Sequence, residues 1–259
     1  MLTVNLVDVH CHLSMKHFKG DLDQVILKAR RRKLILIVTS SISPDDFFSS
    51  LKIVNKYKNY VYVTLGLHPP GVTEESFKQT IKLIEKYKND ILGIGEVGLD
   101  FYHVKSEGLR KFQQKTFKEF IRLSKMLELP LIVHSRDAMP LTLNILREED
   151  AHNVILHCFS GSVEEAKTAI KEGWFISIPT AVATRPLYQS IARFVPLSHM
   201  VLETDSPFLS PFKGQRNEPA NVYYAASKVA EIKGEMLEKI AAVTTRNALR
   251  FFGLHDLIL

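Results

Sequence analysis

Several features are scarce in this chain of 259 residues, and each scarcity excludes a class of protein. The only cysteines are Cys11 and Cys158, too few for a disulfide framework and not spaced as a CxxC zinc or redox motif. No apolar run approaches the roughly 18 residues of a membrane span. Residues 1–5 contain no basic region followed by an apolar stretch, so no secretion signal is expected. We therefore expect a cytoplasmic protein without a membrane segment, with both thiols reduced and packed.

The composition suits one large globular domain. Hydrophobic residues make up 46% of the chain, and no linker rich in proline, glycine or serine divides it. We therefore expect a single domain over residues 1–259. Lysine and arginine number 34 against 28 aspartates and glutamates, a net charge of +6. This excess favours an anionic partner such as nucleic acid, although scattered surface lysines are the simpler explanation.

Short apolar runs alternate with amphipathic segments along the chain. The runs are mostly aliphatic or β-branched, as in strands buried on both faces, and cover residues 4–9, 34–38, 61–65, 91–94, 131–133, 154–156, 174–178 and 200–202. Helical sequence covers residues 21–32, 44–57, 73–88, 109–127, 162–171 and 186–195, with two helices between 221 and 252. Ser43 is a predicted N-cap, and Ser162 with Glu165 forms a capping box. Eight such units predict an α/β fold, a parallel (β/α)8 TIM barrel, with an open doubly wound sheet as the alternative.

Residues that can bind metal stand where these apolar runs end. They are His10, His12, Glu96, His134, His157 and Asp205. Because the C-terminal ends of all strands of a parallel barrel lie on one face, we expect these side chains to meet at one mouth. A single histidine after a strand is often structural, but six such residues in equivalent positions are hard to explain by chance.

The spacing of His10 and His12 has a geometric reason. Side chains two residues apart point the same way from a strand, so both imidazoles face the barrel interior and Cys11 faces the helices. Asp8 shares the histidine face. It either orients a ligand or is a hydrogen-bonded structural carboxylate.

The number of candidate ligands points to more than one ion. Four imidazoles and two carboxylates exceed what a single four-coordinate ion needs, so two ions that share a carboxylate fit better. Two adjacent metals suit phosphoester cleavage. Mixed imidazole and carboxylate ligands are compatible with Mg, Mn or Zn.

Seven short motifs occur in order along the chain. They are DVHCHL (8–13), GLHP (66–69), GEVGLDFY (95–102), LPLIVHSRDA (129–138), HCFSGS (157–162), ETDSPFL (203–209) and RNEPAN (216–221). Through them the chain resembles the TatD family of metal-dependent deoxyribonucleases, within the amidohydrolase superfamily, over essentially its whole length. The resemblance implies a nuclease that hydrolyses DNA phosphodiester bonds, as a 3′–5′ exonuclease on single strands that serves DNA repair. It also permits a D-aminoacyl-tRNA deacylase or a small-molecule amidohydrolase, whereas the intact ligand set disfavours a non-enzymatic binding barrel.

The resemblance further implies how the ligands are shared between two divalent ions. The first ion would be held by His10, His12 and Asp205, the second by His134 and His157, and both by Glu96. Asp205 would also orient or deprotonate the attacking water. The catalytic residues that the resemblance implies are Asp205, Glu96 and His68.

The resemblance implies four substrate contacts as well. They are His68, Arg136, Ser160 and Arg216. His68 would contact the phosphate or donate a proton to the leaving group, with a structural loop histidine as the alternative. Arg136 would bind a phosphate oxygen or pair with Asp137. Tyr102 or Phe101 could stack a base, although core packing is an equal alternative.

Three positions depart from the common pattern of the family. They are Pro70, His103 and the segment of residues 178–185. They leave the metal ligands unchanged but lie on the rim that would hold a nucleic acid strand. Substrate choice is therefore open, and a monomer acting on single-stranded DNA or 3′ ends is the default expectation.

Overall fold

The structure, a computed structural model, describes residues 4–257, so residues 1–3 of the N-terminal stretch and residues 258–259 lie outside it. The strands are β1 (Leu6–Cys11), β2 (Leu34–Ser41), β3 (Val61–Leu65), β4 (Gly93–Asp100), β5 (Leu131–Arg136), β6 (Val154–Leu156), β7 (Phe175–Pro179) and β8 (Met200–Glu203). The α-helices are α1 (Leu22–Arg31), α2 (Pro44–Lys56), α3 (Glu74–Lys86), α4 (Glu107–Leu127), α5 (Met139–Glu148), α6 (Val163–Lys171), α7 (Pro186–Phe194), α8 (Val222–Lys233) and α9 (Leu237–Phe251).

The eight strands form one parallel sheet in chain order from β1 to β8. A parallel bridge between Cys11 and Ser206 links the end of β1 to the segment after β8 and brings the two sheet edges together. The predicted (β/α)8 TIM barrel is thereby confirmed, and the open doubly wound sheet was the wrong alternative.

Both predicted helix caps are present. The Ser43 side chain accepts a hydrogen bond from the backbone N–H of Asp46 at the start of α2. Ser162 and Glu165 form a reciprocal capping box at α6. Helix α5 was not singled out from the sequence, and Ala138 at its N-cap makes no side-chain capping bond.

The strands are buried on both faces, as their apolar runs predict. In β1, Val7 and Val9 join an apolar cluster with Phe251 of α9, while His10 points the other way into the barrel. Cys11 is fully buried and donates from Sγ to the Val38 carbonyl oxygen. None of the described helices is long and apolar enough to cross a membrane.

Strand β4 is longer than its apolar run. The sequence placed Glu96 after a strand ending at residue 94, whereas the strand runs to Asp100 and contains Glu96. Gly98, with φ of +144°, pairs in register with His134 of β5, and a Cβ at Gly98 would lie 2.0 Å from the His134 carbonyl oxygen. Glycine therefore permits the close approach of β4 and β5, and the glycines that interrupt the apolar run hid the strand from sequence analysis.

Candidate metal centre and its cavity

The structure brings the six predicted metal ligands together at the C-terminal mouth of the barrel. Glu96 is central among them and is 3% exposed. Its Oε1 lies 2.6 Å from His134 Nδ1 and 3.1 Å from His157 Nε2. Its Oε2 lies 3.3 Å from His10 Nε2 and 3.7 Å from His12 Nε2. One carboxylate thus faces two pairs of imidazoles.

Asp205 completes the half of the centre that contains the HxH pair. Its Oδ1 lies 3.4 Å from His12 Nε2 and 3.8 Å from His10 Nε2. The backbone N–H of Asp205 donates to the carbonyl oxygen of His10 over 3.0 Å. That hydrogen bond holds the segment after β8 against the end of β1. Asp205 is 15% exposed and so remains open to the cavity.

The donor set fits divalent ions. His10 Nε2 and His12 Nε2 are 3.3 Å apart, and His134 Nδ1 and His157 Nε2 are also 3.3 Å apart. Two nitrogens bound at roughly 2.0–2.1 Å to one tetrahedral ion are about 3.3 Å apart. Glu96 provides an oxygen within 4.8 Å of both pairs, which gives two candidate groups with a shared carboxylate. Nitrogen and oxygen donors together suit a divalent metal.

The electrostatics of the cluster match a site that exchanges protons for metal. Burial would raise the pKa of Glu96, but the imidazoles of His157 and His68 hold that pKa well below its usual value. Burial would lower the pKa of His157, but the carboxylates of Glu96 and Glu203 raise it well above its usual value. The negative charge of Glu96 therefore stabilises the protonated form of His157, and metal binding would displace that proton.

Two carboxylates stand behind the second pair of imidazoles. His134 Nε2 donates to Asp100 Oδ2 over 3.2 Å, which directs Nδ1 toward Glu96. Glu203 is fully buried, and its Oε1 lies 3.5 Å from His157 Nδ1. Such carboxylates orient ligand imidazoles and raise their basicity. Neither Asp100 nor Glu203 was predicted as a site residue from the sequence. Asp100 follows Glu96 at a spacing of four within the strand and so shares its face.

Of the two roles predicted for Asp8, the structure supports the hydrogen-bonded structural carboxylate. It accepts hydrogen bonds from the Thr204 hydroxyl at 2.6 Å, from the Thr204 backbone N–H at 2.9 Å and from the backbone N–H of His10 at 3.3 Å. The carboxylate therefore joins β1 to the residue that follows β8. Cys158 is half-buried rather than fully packed, contacts the Tyr188 hydroxyl at 3.3 Å and lines the cavity.

A cavity of about 680 Å³ opens over the ligand cluster. His68, Arg136 and Ser160 line it, as the sequence predicts. His68 Nε2 lies 3.6 Å from Glu96 Oε1. Burial lowers the pKa of His68 to about 4, so this imidazole is neutral at physiological pH.

The structure does not bring Arg216 to the cavity. Its guanidinium makes two hydrogen bonds with Asp21, of 2.8 and 2.7 Å, and lies over the Phe18 ring. This pair joins the loop after β8 to the start of α1. Two residues that do line the cavity, Arg185 and Phe208, were not predicted as substrate contacts from the sequence. Phe208 lies in the ETDSPFL motif, and Arg185 ends the segment of residues 178–185 that departs from the family pattern.

Comparisons with known proteins agree with this geometry. A sequence profile for a family described as TatD related DNase matches residues 7–253. Human deoxyribonuclease TATDN3 is 38% identical over 260 residues, covering 96% of this chain and 95% of the human protein. YabD of Bacillus subtilis, described as an uncharacterized metal-dependent hydrolase, is 34% identical over 257 residues, covering 96% of this chain and 100% of that protein.

A solved structure extends the agreement to three dimensions. The crystal structure of YJJV, a TatD homologue from Escherichia coli, matches with a TM-score of 0.88 and 25% identity, covering 98% of this chain and 99% of that one. The chain therefore belongs to the TatD-related DNase family and is a metal-dependent enzyme that hydrolyses ester bonds.

Proposed function

We propose that this protein is a dinuclear phosphodiesterase that removes nucleotides from the 3′ end of single-stranded DNA. The observation that carries the proposal is the carboxylate of Glu96 between two pairs of imidazole nitrogens, each pair 3.3 Å apart. A single four-coordinate ion would leave one pair unused. We further propose a monomeric cytoplasmic enzyme with one domain, whose partner is DNA.

The ligands divide between two sites. His10, His12 and Asp205 would hold one divalent ion, His134 and His157 the other, and Glu96 both. Two such ions, whether Mg, Mn or Zn, would activate a water and neutralise the phosphate and the leaving oxygen.

Asp205 is the residue best placed to handle the attacking water. Burial would raise the pKa of Asp205, but the hydrogen bond and charge of His12 lower it, so the carboxylate is ionised and can accept a proton. It is also more exposed to the cavity than Glu96, at 15% against 3%. Glu96 is therefore assigned to holding the centre together and Asp205 to orienting water and accepting its proton.

The remaining cavity residues would bind the substrate phosphate. His68, neutral and directed at the cluster, would hydrogen-bond a phosphate oxygen or the leaving oxygen. Arg136 would hold a phosphate oxygen, and Ser160 would offer its hydroxyl. Arg216 is already bound to Asp21 and would support the wall of the cavity from outside.

One observation separates phosphoester from amide chemistry. Many dinuclear amidohydrolases bridge their metals with a carboxylated lysine, as the resemblance to that superfamily implies. Within the described part of the chain, no lysine lines the cavity, and the carboxylate between the two pairs of imidazoles is that of Glu96. This favours the nuclease over a small-molecule amidohydrolase.

The test uses purified protein loaded with Mg, Mn or Zn, with metal content measured. DNA strands labelled at the 5′ end should shorten progressively, and strands labelled at the 3′ end should release mononucleotide first. Single strands should be cleaved faster than blunt duplexes. D-aminoacyl-tRNA and simple amides are assayed in parallel. The proposal would be refuted by metal-loaded protein that hydrolyses D-aminoacyl-tRNA or a simple amide but no DNA.

A further inference from the structure

Two exposed aromatic side chains stand at the mouth of the cavity. Phe208 follows β8 and is 46% exposed, and Tyr102 follows β4 and is 50% exposed. Both line the cavity. Because β4 and β8 are four strands apart in an eight-stranded barrel, the two rings lie on opposite walls. Neither ring is buried in the hydrophobic core.

Each ring flanks a different half of the metal centre. The Phe208 ring centroid is 6.2 Å from that of His12, at an interplanar angle of 65°. Tyr102 lies beside His103, at 4.9 Å between ring centroids. His103 Nδ1 in turn donates to the Asp100 carboxylate over 2.8 Å, behind the second pair of imidazoles. A phosphodiester held at the metal centre would therefore have an aromatic surface on each side.

Each wall also carries an arginine. The Arg136 guanidinium lies 4.1 Å from the Tyr102 ring centroid, and Arg185, which follows β7 next to β8, also lines the cavity. Among the described residues, ion pairs involve Arg122, Arg147 and Arg216, whereas neither Arg136 nor Arg185 pairs with a carboxylate. Arg216, by contrast, is neutralised by Asp21. An unpaired guanidinium beside an aromatic ring suits a ligand that alternates phosphates with flat bases.

We infer that the cavity mouth is a clamp for unpaired nucleotides. Phe208 stacks one of the two bases that flank the bound phosphodiester, and the layer formed by Tyr102 and Arg136 stacks the other. Arg136 and Arg185 contact phosphates. The inference rests on the proposed function and deepens it, since it assigns the preference for single strands to particular side chains.

The physical reason for that preference is access to the faces of the bases. Stacking on a protein ring requires a base that has been splayed away from its neighbours. A base inside a duplex has both faces covered by adjacent base pairs and its edge held by its partner. Single strands and frayed ends therefore reach Phe208 and Tyr102, whereas intact duplex does not.

The test measures binding, so it does not depend on turnover. The full-length, metal-loaded protein is titrated with two 5′-fluorescein-labelled strands whose linkages are hydrolysis-resistant phosphorothioates, and fluorescence anisotropy gives Kd. One strand is oligodeoxythymidylate, and the other has the same phosphates but abasic tetrahydrofuran spacers at its 3′ end. Phe208→Ala and Tyr102→Ala should each weaken binding of the thymidylate strand by about 5- to 100-fold. Binding of the spacer strand should not change.

Matched variants separate stacking from general damage. Phe208→Tyr and Tyr102→Phe keep a ring and should restore binding. Met236→Ala removes a more exposed apolar side chain far from the cavity, 67% exposed before α9, and should leave both Kd values unchanged. Arg185→Ala should weaken both strands alike and reduce the salt dependence of binding, because it loses only a phosphate contact.

Two results would overturn the clamp. One is equal binding of the two strands by the wild-type protein. The other is an equal loss of both strands in Phe208→Ala and Tyr102→Ala. Nuclease assays of the same preparations are scored separately. A wild-type protein that shows the strand difference but hydrolyses no DNA would refute the proposed function and retain the clamp.

Discussion

Replacing Glu96 with glutamine keeps the size of the side chain but removes the charge on which both halves of the ligand cluster converge. Its two oxygens lie 2.6 Å from His134 Nδ1 and 3.3 Å from His10 Nε2. A neutral amide can offer one carbonyl oxygen to one ion, and its NH2 group would point at the other. Glu96→Gln is therefore expected to destroy the bridge while leaving the packing intact.

The magnitude follows from the position of Glu96 in the cluster. Loss of a group that merely orients a metal ligand costs about 10- to 100-fold in affinity. In the proposed centre Glu96 is itself a ligand and is shared, so the affinity for each ion should fall at least about 100-fold, or roughly 2.7 kcal/mol. Hydrolysis should fall at least in proportion. The barrel should stay folded, because the surrounding imidazoles can release protons when the anion is gone.

Isothermal titration with Mn or Zn and elemental analysis after dialysis measure the effect, with circular dichroism as a check on folding. Glu164→Gln makes the same chemical change at an exposed position of α6 and serves as the control. A Glu96→Gln protein that retains two equivalents of metal with wild-type affinity would refute the shared carboxylate and with it the dinuclear assignment.

Three further predictions concern the surroundings of the centre. Glu203→Gln should weaken binding of the second ion by about 10- to 100-fold in a metal titration, because the Glu203 carboxylate lies 3.5 Å from His157 Nδ1 and raises the basicity of that imidazole. An unchanged affinity would contradict this role. A second prediction concerns the metal-free protein in EDTA. Burial would lower the pKa of His157, but the carboxylates of Glu96 and Glu203 raise it well above 6.5. Protonated His157 therefore stabilises the fold at pH values below that pKa. The thermal midpoint should therefore fall as pH rises through that raised pKa, and a flat profile would count against it. Gly98→Ala should lower the free energy of unfolding in urea by about 2 kcal/mol or more, because the added Cβ would clash with β5 and alanine disfavours the positive φ. Gly20→Ala has open space around it and should change stability little. Equal losses in the two variants would show that the close approach of β4 and β5 is unimportant.

The positions of the ligands could be predicted because their signals are local. His10 and His12 follow from the two-residue period of a strand, and the strand count places them at one mouth with four other ligands. The boundary of β4 could not be predicted, since its glycines make the strand resemble a loop. Gly98 is required by an approach to His134 that exists only after β4 and β5 pair.

The substrate contacts show where local signals end. Arg216 stands in a motif of the resembled family, but its partner is Asp21, far away in the sequence and close only after folding. Phe208 lies in a motif and Arg185 in a segment that departs from the family pattern, but neither position reveals that the structure leaves the arginine without an ion pair and the phenyl ring exposed at the cavity. Charge pairing and exposure depend on neighbours from distant segments, so no window of sequence reports them.

By itself the sequence determined the barrel and the candidate metal ligands, because strand and helix periodicity and the order of motifs are written along the chain. Tertiary structure alone decided that Glu96 lies between two pairs of imidazoles, that Asp100 and Glu203 stand behind them, and which arginines face the cavity. These are distances between residues on different strands and loops, and they come into existence only when the barrel closes.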